Sequence, residues 1–256
     1  MKKILLTNDD GYFAEGLVNL RRRLSSEWDV IVVAPDREQS AASHSLTLHH
    51  PIRVNKIDDT LFSVQGTPTD CVLLAIYEIL DRKPDLLISG INHGPNLGDD
   101  VTYSGTVAAA MEGTLLGIPS IAISVAARDN LRFDYAVEFA ARLTLEILSS
   151  GLPKDTFLNV NIPHLPPEQI KGVRITRLGR SVYHDIVVRK TDPRGRPYYW
   201  IGGDDPTWVG PEGCDSVAIE NGMISICPLR LDLTDHEAVV ELQEWSRKIP
   251  FNLHQG

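Results

Sequence analysis

The sequence predicts an α/β sandwich of three layers on a mostly parallel, doubly wound sheet, and three observations predict it. Residues 4–7 and 30–34 are short, nearly continuous apolar runs, the pattern of strands buried on both faces. Between them Leu17, Leu20 and Leu24 recur at helical spacing, with Arg21, Arg22 and Arg23 directed away, which makes a βαβ unit. The same alternation then returns along residues 70–162, and repeated βα units lead to a parallel sheet covered on both faces.

In order, residues 70–80 are expected as a helix, 86–89 as a strand, 104–116 as a helix and 120–125 as a strand. A helix over 135–148 leads to a strand over 157–162, before Pro163, Pro166 and Pro167 interrupt the sheet. Beyond Gly172 the segments 173–177 and 183–188 read as extended, and Asp192-Pro193-Arg194-Gly195-Arg196-Pro197 reads as the turn of a hairpin. That hairpin carries Tyr198, Tyr199 and Trp200, which either pack on the core or form an arm against another subunit. The last helix, 234–247, opens with Thr234 three residues before Glu237, the spacing of a capping box.

Composition narrows the function. The 256 residues include 25 basic and 34 acidic side chains, a net charge of −9, without the clustered cationic surface that polymeric nucleic acid demands. A small phosphorylated substrate remains compatible, since a cation or a helix N-terminus can supply positive charge locally. No window approaches the roughly 20 apolar residues of a membrane span, so no membrane partner is expected. The N-terminal apolar run is too short for a signal-peptide core. Cys71, Cys214 and Cys227 form no C-x-x-C pair and read as reduced, buried thiols, and a cytoplasmic location is expected.

Chemistry concentrates in loops that follow predicted strands, where ligands bind in open α/β sheets. Asn8-Asp9-Asp10-Gly11 places two adjacent carboxylates after the first strand, although a turn with a helix cap explains the same residues. Residues 36–45 are polar and hydroxyl-rich, and residues 90–100 contain three glycines that admit close backbone approach. Ser104-Gly105-Thr106 opens a helix whose free amides suit an anion, while Ser104 also serves as a plain N-cap. Together Asp9, Asp10, Ser40 and Asn92 form an all-oxygen set that favours a hard divalent cation, Mg²⁺ or Mn²⁺. Asn96, Ser104, Gly105 and Thr106 are then expected to hold a phosphate, and Asp9 or Asp10 to assist proton transfer. His44 and His93 lie in the same loops as secondary acid/base candidates, with solvated surface histidines the plainer explanation.

Other chemistries lack their residues. There is no G-x-G-x-x-G after the first strand, no G-x-x-x-x-G-K-[ST], no G-x-S-x-G and no H-E-x-x-H. A zinc-dependent deacetylase also places paired aspartates after a first strand, but here Asn8 precedes the pair with no histidine ligand nearby. A nucleotide-binding regulatory module without catalysis is the alternative from another class.

The sequence resembles the SurE survival-protein nucleotidases. The resemblance rests on Thr7-Asn8-Asp9-Asp10-Gly11, Val33-Ala34-Pro35-Asp36-Arg37, Ser40 with Ser45-Leu46-Thr47, and Gly66-Thr67-Pro68-Thr69-Asp70-Cys71. It continues through Ser89-Gly90-Ile91-Asn92 with Gly94-Pro95-Asn96, Tyr103-Ser104-Gly105-Thr106, Asp192-Pro193-Arg194-Gly195 and Tyr199-Trp200-Ile201-Gly202. It implies a Rossmann-like fold and a 5′-nucleotidase that uses one divalent metal ion on nucleoside 5′- and 3′-monophosphates, with short polyphosphate as a further substrate. The family's metal ligands fall on Asp9, Asp10, Ser40 and Asn92. A single domain over 1–256 is expected, with 1–170 as the nucleotide- and metal-binding core. Residues 171–256 supply a hairpin and C-terminal helix for a homodimer or homotetramer.

Overall fold

The computed structural model describes residues 1–127, 129–183, 187–201 and 207–249. The chain begins with β1 (Lys3–Thr7), buried throughout, then α1 (Glu15–Leu24) and β2 (Asp29–Pro35). β3 (Val54–Asp58) and β4 (Leu61–Val64) precede α2 (Pro68–Leu74), whose last turn widens into a π-helical segment over Ala75–Ile79. β5 (Leu86–His93), α3 (Gly105–Leu115), β6 (Ser120–Ala126), α4 (Asp134–Ser150) and β7 (Thr156–Pro163) complete the repeated α/β units.

The main sheet has the order β3-β4-β2-β1-β5-β6-β7, extended beyond β7 by two strands from the C-terminal part, β13 (Ile224–Arg230) and then β8 (Val173–Ile175). Strands β4, β2, β1, β5, β6 and β7 run parallel, while β3 and β13 are antiparallel to their neighbours β4 and β7. Period-two alternation splits β1 between two cores. Ile4 and Leu6 face α1 and α4 in one cluster, and Leu5 joins Val72 of α2 and Ala109 of α3 in the other. Helices therefore cover both faces, as the apolar runs predict.

Order reverses beside β1: the chain first builds β2 and β4 on one side, then crosses to β5 on the other. The carboxyl ends of β1 and β5, paired through Thr7 and Ser89, border that switch point. β5 runs further than the expected 86–89. After a register shift between Ser89 and Asn92 it resumes with Asn92 opposite Ser124, so Asn92 and His93 are strand residues rather than loop. Gly90 makes this possible, because a Cβ there would lie 2.3 Å from the Ile123 carbonyl oxygen and its φ is +132°.

The C-terminal part departs from expectation in three places. β8 lies parallel to β13 at the edge of the main sheet instead of joining a hairpin. β9 (Arg180–Val182) pairs with β12 (Thr207–Val209), and α5 (Asp215–Glu220) precedes β13. The expected hairpin is present as β10 (Val187–Thr191) and β11 (Pro197–Ile201), with every residue of both strands exposed, so its aromatics do not pack on the chain's own core. Of the expected 183–188 strand, residues 184–186 lie outside the described residues, as does Gly202 of the last motif. α6 (His236–Lys248) is capped by Asp235, which accepts from the Glu237 and Ala238 amides, and not by Thr234. The side chain one residue later sits at the correct distance from those amides.

Candidate active site

A cleft of about 820 Å³ opens at the switch point. Asp9, Asp10, Ser40, Asn92, His93, Asn96 and Ser104 all line it, so segments separated in sequence converge on one space. The turn-and-cap explanation of the first loop fails for its carboxylates. Asn8 Nδ2 closes the turn onto the Gly11 carbonyl at 2.9 Å, whereas the N-cap of α1 is Ala14, which has no side-chain cap to give. Asp9 and Asp10 are thereby left to face the cleft.

Each carboxylate is fixed by a different element. The Thr106 hydroxyl, in the first turn of α3, donates to Asp9 Oδ1. Gly105 lets the helix approach this closely, since a Cβ there would lie 2.9 Å from Asp9 Cβ and 3.0 Å from Oδ2. Asp10 accepts from the His93 amide at 3.2 Å, and His93 Nδ1 stands 3.7 Å from its other oxygen. Burial pushes the Asp9 carboxyl up to about 6; the Thr106 hydroxyl opposes that rise, and the charge of Asp10 adds to it. Burial likewise raises Asp10 to about 6, opposed by the His93 amide and reinforced by Glu38. Burial lowers His93, against the pull of Glu15, Asp9 and Glu38.

The remaining predicted residues separate into two groups. Asn92 donates to the Gly94 carbonyl through Nδ2 at 2.9 Å, and Ser40 Oγ donates to Glu38 at 2.5 Å. Asn96 is held on three sides: its amide donates to Asn161 Oδ1, its carbonyl accepts from Asn159 and Asn161, and its side chain donates to Ser124. The Ser104 hydroxyl caps α3 by accepting from the Val107 amide at 3.1 Å. His44 is placed elsewhere, outside the cleft lining, with Nε2 2.7 Å from Glu112 Oε2 in the middle of α3.

The cleft also contains residues not singled out from sequence. Glu15 and Glu38 add carboxylates, and Phe13, Tyr103 and Tyr183 add exposed aromatic surface. Glu38 stood within the hydroxyl-rich second loop and was legible there. Tyr183 reaches the site from a remote segment, its hydroxyl donating to Asp100, and nothing local in the sequence signals that.

The donor set fits a divalent cation. Among the described residues that line the cleft none is Lys or Arg, so the Asp9 and Asp10 carboxylates meet neither side chain there. Among the described residues no three His, Cys, Asp or Glu side chains converge as a ligand cluster. A cation here would rest on Asp9 and Asp10 completed by the neutral oxygens of Ser40 and Asn92, a set that hard ions accept.

Fold and cleft together define a Rossmann-like α/β protein with an acidic, oxygen-lined site at its sheet switch point. The chain belongs to the survival protein SurE family, whose pattern matches residues 4–185. It is 52% identical over 244 residues to the 5′-nucleotidase SurE of Geotalea daltonii, covering 95% of this chain and 98% of that one. The 5′-nucleotidase SurE of Aquifex aeolicus is 48% identical over 245 residues, covering 95% and 98%. The crystal structure of the SurE protein from Aquifex aeolicus superposes with a TM-score of 0.86 at 47% identity, covering 95% of this chain and 99% of that chain.

Proposed function

We infer that this chain is a 5′-nucleotidase that hydrolyses nucleoside monophosphates to nucleoside and phosphate with the help of a divalent cation. The observation that carries the reading is the convergence of Asp9, Asp10, Ser40 and Asn92 on one open cleft beside the N-terminus of α3. The near full-length relatives that bear the name 5′-nucleotidase support the substrate class. Asp9, Asp10, Ser40 and Asn92 would hold one Mg²⁺ or Mn²⁺. Such an ion polarises phosphoryl oxygens and acidifies water, the chemistry a phosphomonoester needs.

The chain's own residues supply the rest. Thr106 and Gly105 fix Asp9, and the His93 amide fixes Asp10, so both carboxylates are oriented before substrate arrives. Asn96 and the 104–106 segment form the phosphate side, where the positive end of the α3 dipole offsets charge that develops on phosphoryl oxygens. His93 is the histidine inside the cleft and is assigned proton transfer with the leaving alcohol; His44, engaged by Glu112, is not. Phe13, Tyr103 and Tyr183 offer apolar surface for the nucleoside. 3′-Monophosphates and short polyphosphate belong to the same proposal, because both present a terminal phosphoryl group to an open cleft.

The exposed β10–β11 hairpin, with Trp200 at 60% and Ile201 at 85% exposure, supports an arm that joins copies of the chain into a dimer or tetramer. Among the described residues no helix is long and apolar enough to cross a membrane, and the three cysteines are buried free thiols. A cytoplasmic enzyme is proposed on the thiols' reduced state. The test is phosphate release from a panel of nucleoside 5′- and 3′-monophosphates with and without Mg²⁺ or Mn²⁺. Release that requires metal, and that Asp9→Asn abolishes, is expected; nucleotide binding without release would make the chain a regulatory module.

A further inference from the structure

We propose that Asp70 and Glu112 are positioning residues which, through Thr47 and His44, hold the loop carrying Ser40 in place against Asp9. The proposal rests on the reading of Ser40 as a cation ligand. The segment between β2 and β3, residues 36–53, contains no helix or strand, and a loop of that length needs outside contacts to keep one conformation. Its near end is tied to the site by backbone. The Gln39 amide donates to the Asp9 carbonyl at 2.7 Å, and the Ser43 amide to the Tyr103 carbonyl at 3.1 Å. Between those ties Ala41 and Ser43 adopt φ of +57° and +52°. Side chains with a Cβ disfavour that region, so the surroundings must impose it.

The far end supplies the constraint. Asp70 is 3% exposed and takes the Thr47 amide on Oδ1 at 3.0 Å and the Thr47 hydroxyl on Oδ2 at 2.6 Å. The same Oδ2 accepts the Thr67 amide at 2.8 Å, and the Thr67 hydroxyl both caps α2 and donates to the Ser45 carbonyl at 2.7 Å. The fit is close on the opposite side, where a Cβ on Gly66 would lie 2.7 Å from Asp70 Oδ2. Glu112 is 9% exposed and meets His44 Nε2 at 2.7 Å. Two buried carboxylates are thus partnered by loop residues, and a buried carboxylate left unpartnered is costly enough to hold those partners in place.

Geometry links both anchors to the site. α3 holds Asp9 with Thr106 at its first turn and the Ser40 loop with Glu112 two turns later, while the α2 cap holds Thr47. The spacing of Ser40 from Asp9 is therefore set by the Gln39 tie to Asp9 at one end of the loop and by the rigid α2–α3 pair, through His44 and Thr47, at the other. This gives His44 a structural task in place of proton transfer.

Asp70 and Glu112 variants would also disturb the α2 cap and the α3 core, so the test changes their loop partners. Thr47→Val and His44→Ala are compared with Thr47→Ser and His44→Gln, which keep a donor, and with Ser40→Ala. Two readouts are taken without substrate: Mn²⁺ affinity by calorimetry, and amide hydrogen exchange of residues 39–47 in the metal-free protein. Thr47→Val and His44→Ala should each weaken Mn²⁺ by about tenfold, the size of a lost supporting contact to a metal ligand, and speed exchange across the loop. Thr47→Ser and His44→Gln should restore both readouts. Unchanged Mn²⁺ affinity in Thr47→Val and His44→Ala, while Ser40→Ala weakens it, overturns the proposal and leaves the Ser40 assignment standing. Unchanged affinity in Ser40→Ala overturns that assignment and the proposal with it. A turnover rate at saturating Mn²⁺ that stays low in His44→Gln makes His44 a proton-transfer group and overturns its positioning role.

Discussion

The Thr106 hydroxyl donates to Asp9 Oδ1, joining the first turn of α3 to the carboxylate at the end of β1. Thr106 is fully buried and Asp9 is 7% exposed, so the bond is shielded by the helix on the side away from the cleft. A hydrogen bond to a charged group contributes about 1.5–3 kcal/mol. Thr106→Val, which keeps the shape and removes the donor, should lower kcat/KM roughly 10- to 100-fold, and Thr106→Ser should recover most of it. Steady-state phosphate release across the three proteins checks this.

Gly105 sets two effects against each other. In a helix glycine is about 1 kcal/mol worse than alanine, so propensity alone favours Gly105→Ala. The new methyl would sit 2.9 Å from Asp9 Cβ and 3.1 Å from Pro68 Cγ, atoms fixed by β1 and α2. The clash should win, because neither neighbour is the free end of a flexible chain. Gly105→Ala is expected to lose activity at least tenfold, a displacement of the carboxylate by a few tenths of an ångström sufficing for it, and to gain no thermal stability. Calorimetric melting and kinetics on one preparation measure both.

What the sequence discloses depends on burial. β1 and β2 announce themselves because helices on both faces demand unbroken apolar runs. β3, Val54–Asp58, is exposed along its length and carries no such run, so nothing marks it as a strand. β5 was legible only as far as Ser89. Gly90, Asn92 and His93 look like loop residues, and the contact that keeps them in the sheet, Gly90 against the Ile123 carbonyl, is tertiary. Along the cleft, Asp9 and Asp10 stand out because they follow β1, and Asn92, Asn96 and Ser104 because they follow the apolar run that opens β5. The diversion of His44 to Glu112 was not, since a glutamate buried inside α3 has no signature separate from a solvent-facing one.

Asp85 governs part of the acid response. Burial raises its carboxyl, but the Lys3 amide at 2.8 Å, the Lys2 ammonium at 2.9 Å and the Arg82 guanidinium at 3.1 Å outweigh burial and hold it at about 2. A carboxyl depressed in the folded state contributes stability above its unfolded value of 3.8, and loses it as pH falls toward 2. Asp85→Asn should therefore be less stable than the parent at pH 7, with the gap closing between pH 4 and pH 2. Urea unfolding across that range reads the convergence; parallel curves would show that Asp85 carries no such linkage.

Removal of divalent cations should silence the enzyme and soften it. Asp9 lies buried and Asp10 half-buried beside it, with no Lys or Arg among the described residues lining the cleft, so a cation bound there would stabilise the folded chain selectively. At one hundred times its Kd an ion adds about 2.7 kcal/mol, which for a chain of this length is a Tm rise of roughly 5–10 °C. Mn²⁺ should produce that rise in the chelator-treated parent and almost none in Asp9→Asn. A rise of equal size in both proteins would place the ion elsewhere.

The β10–β11 hairpin gives the assembly proposal its sharpest test. Val187 pairs with Ile201 and Val188 with Trp200 across the two strands, and all four are exposed on the isolated chain. The two pairs point to opposite faces of the hairpin; a two-stranded hairpin is at best marginally stable in water, and one with exposed apolar side chains on both faces gains by docking. Substitutions at these positions remove nothing from the subunit's own core, so their cost to the folded monomer should stay within about 0.5 kcal/mol. Trp200→Ser combined with Ile201→Lys should therefore lower the molar mass in solution while leaving the monomer's circular dichroism intact. Light scattering decides it: a parent that is already monomeric, or a double variant with the parent's mass, removes the hairpin from the interface.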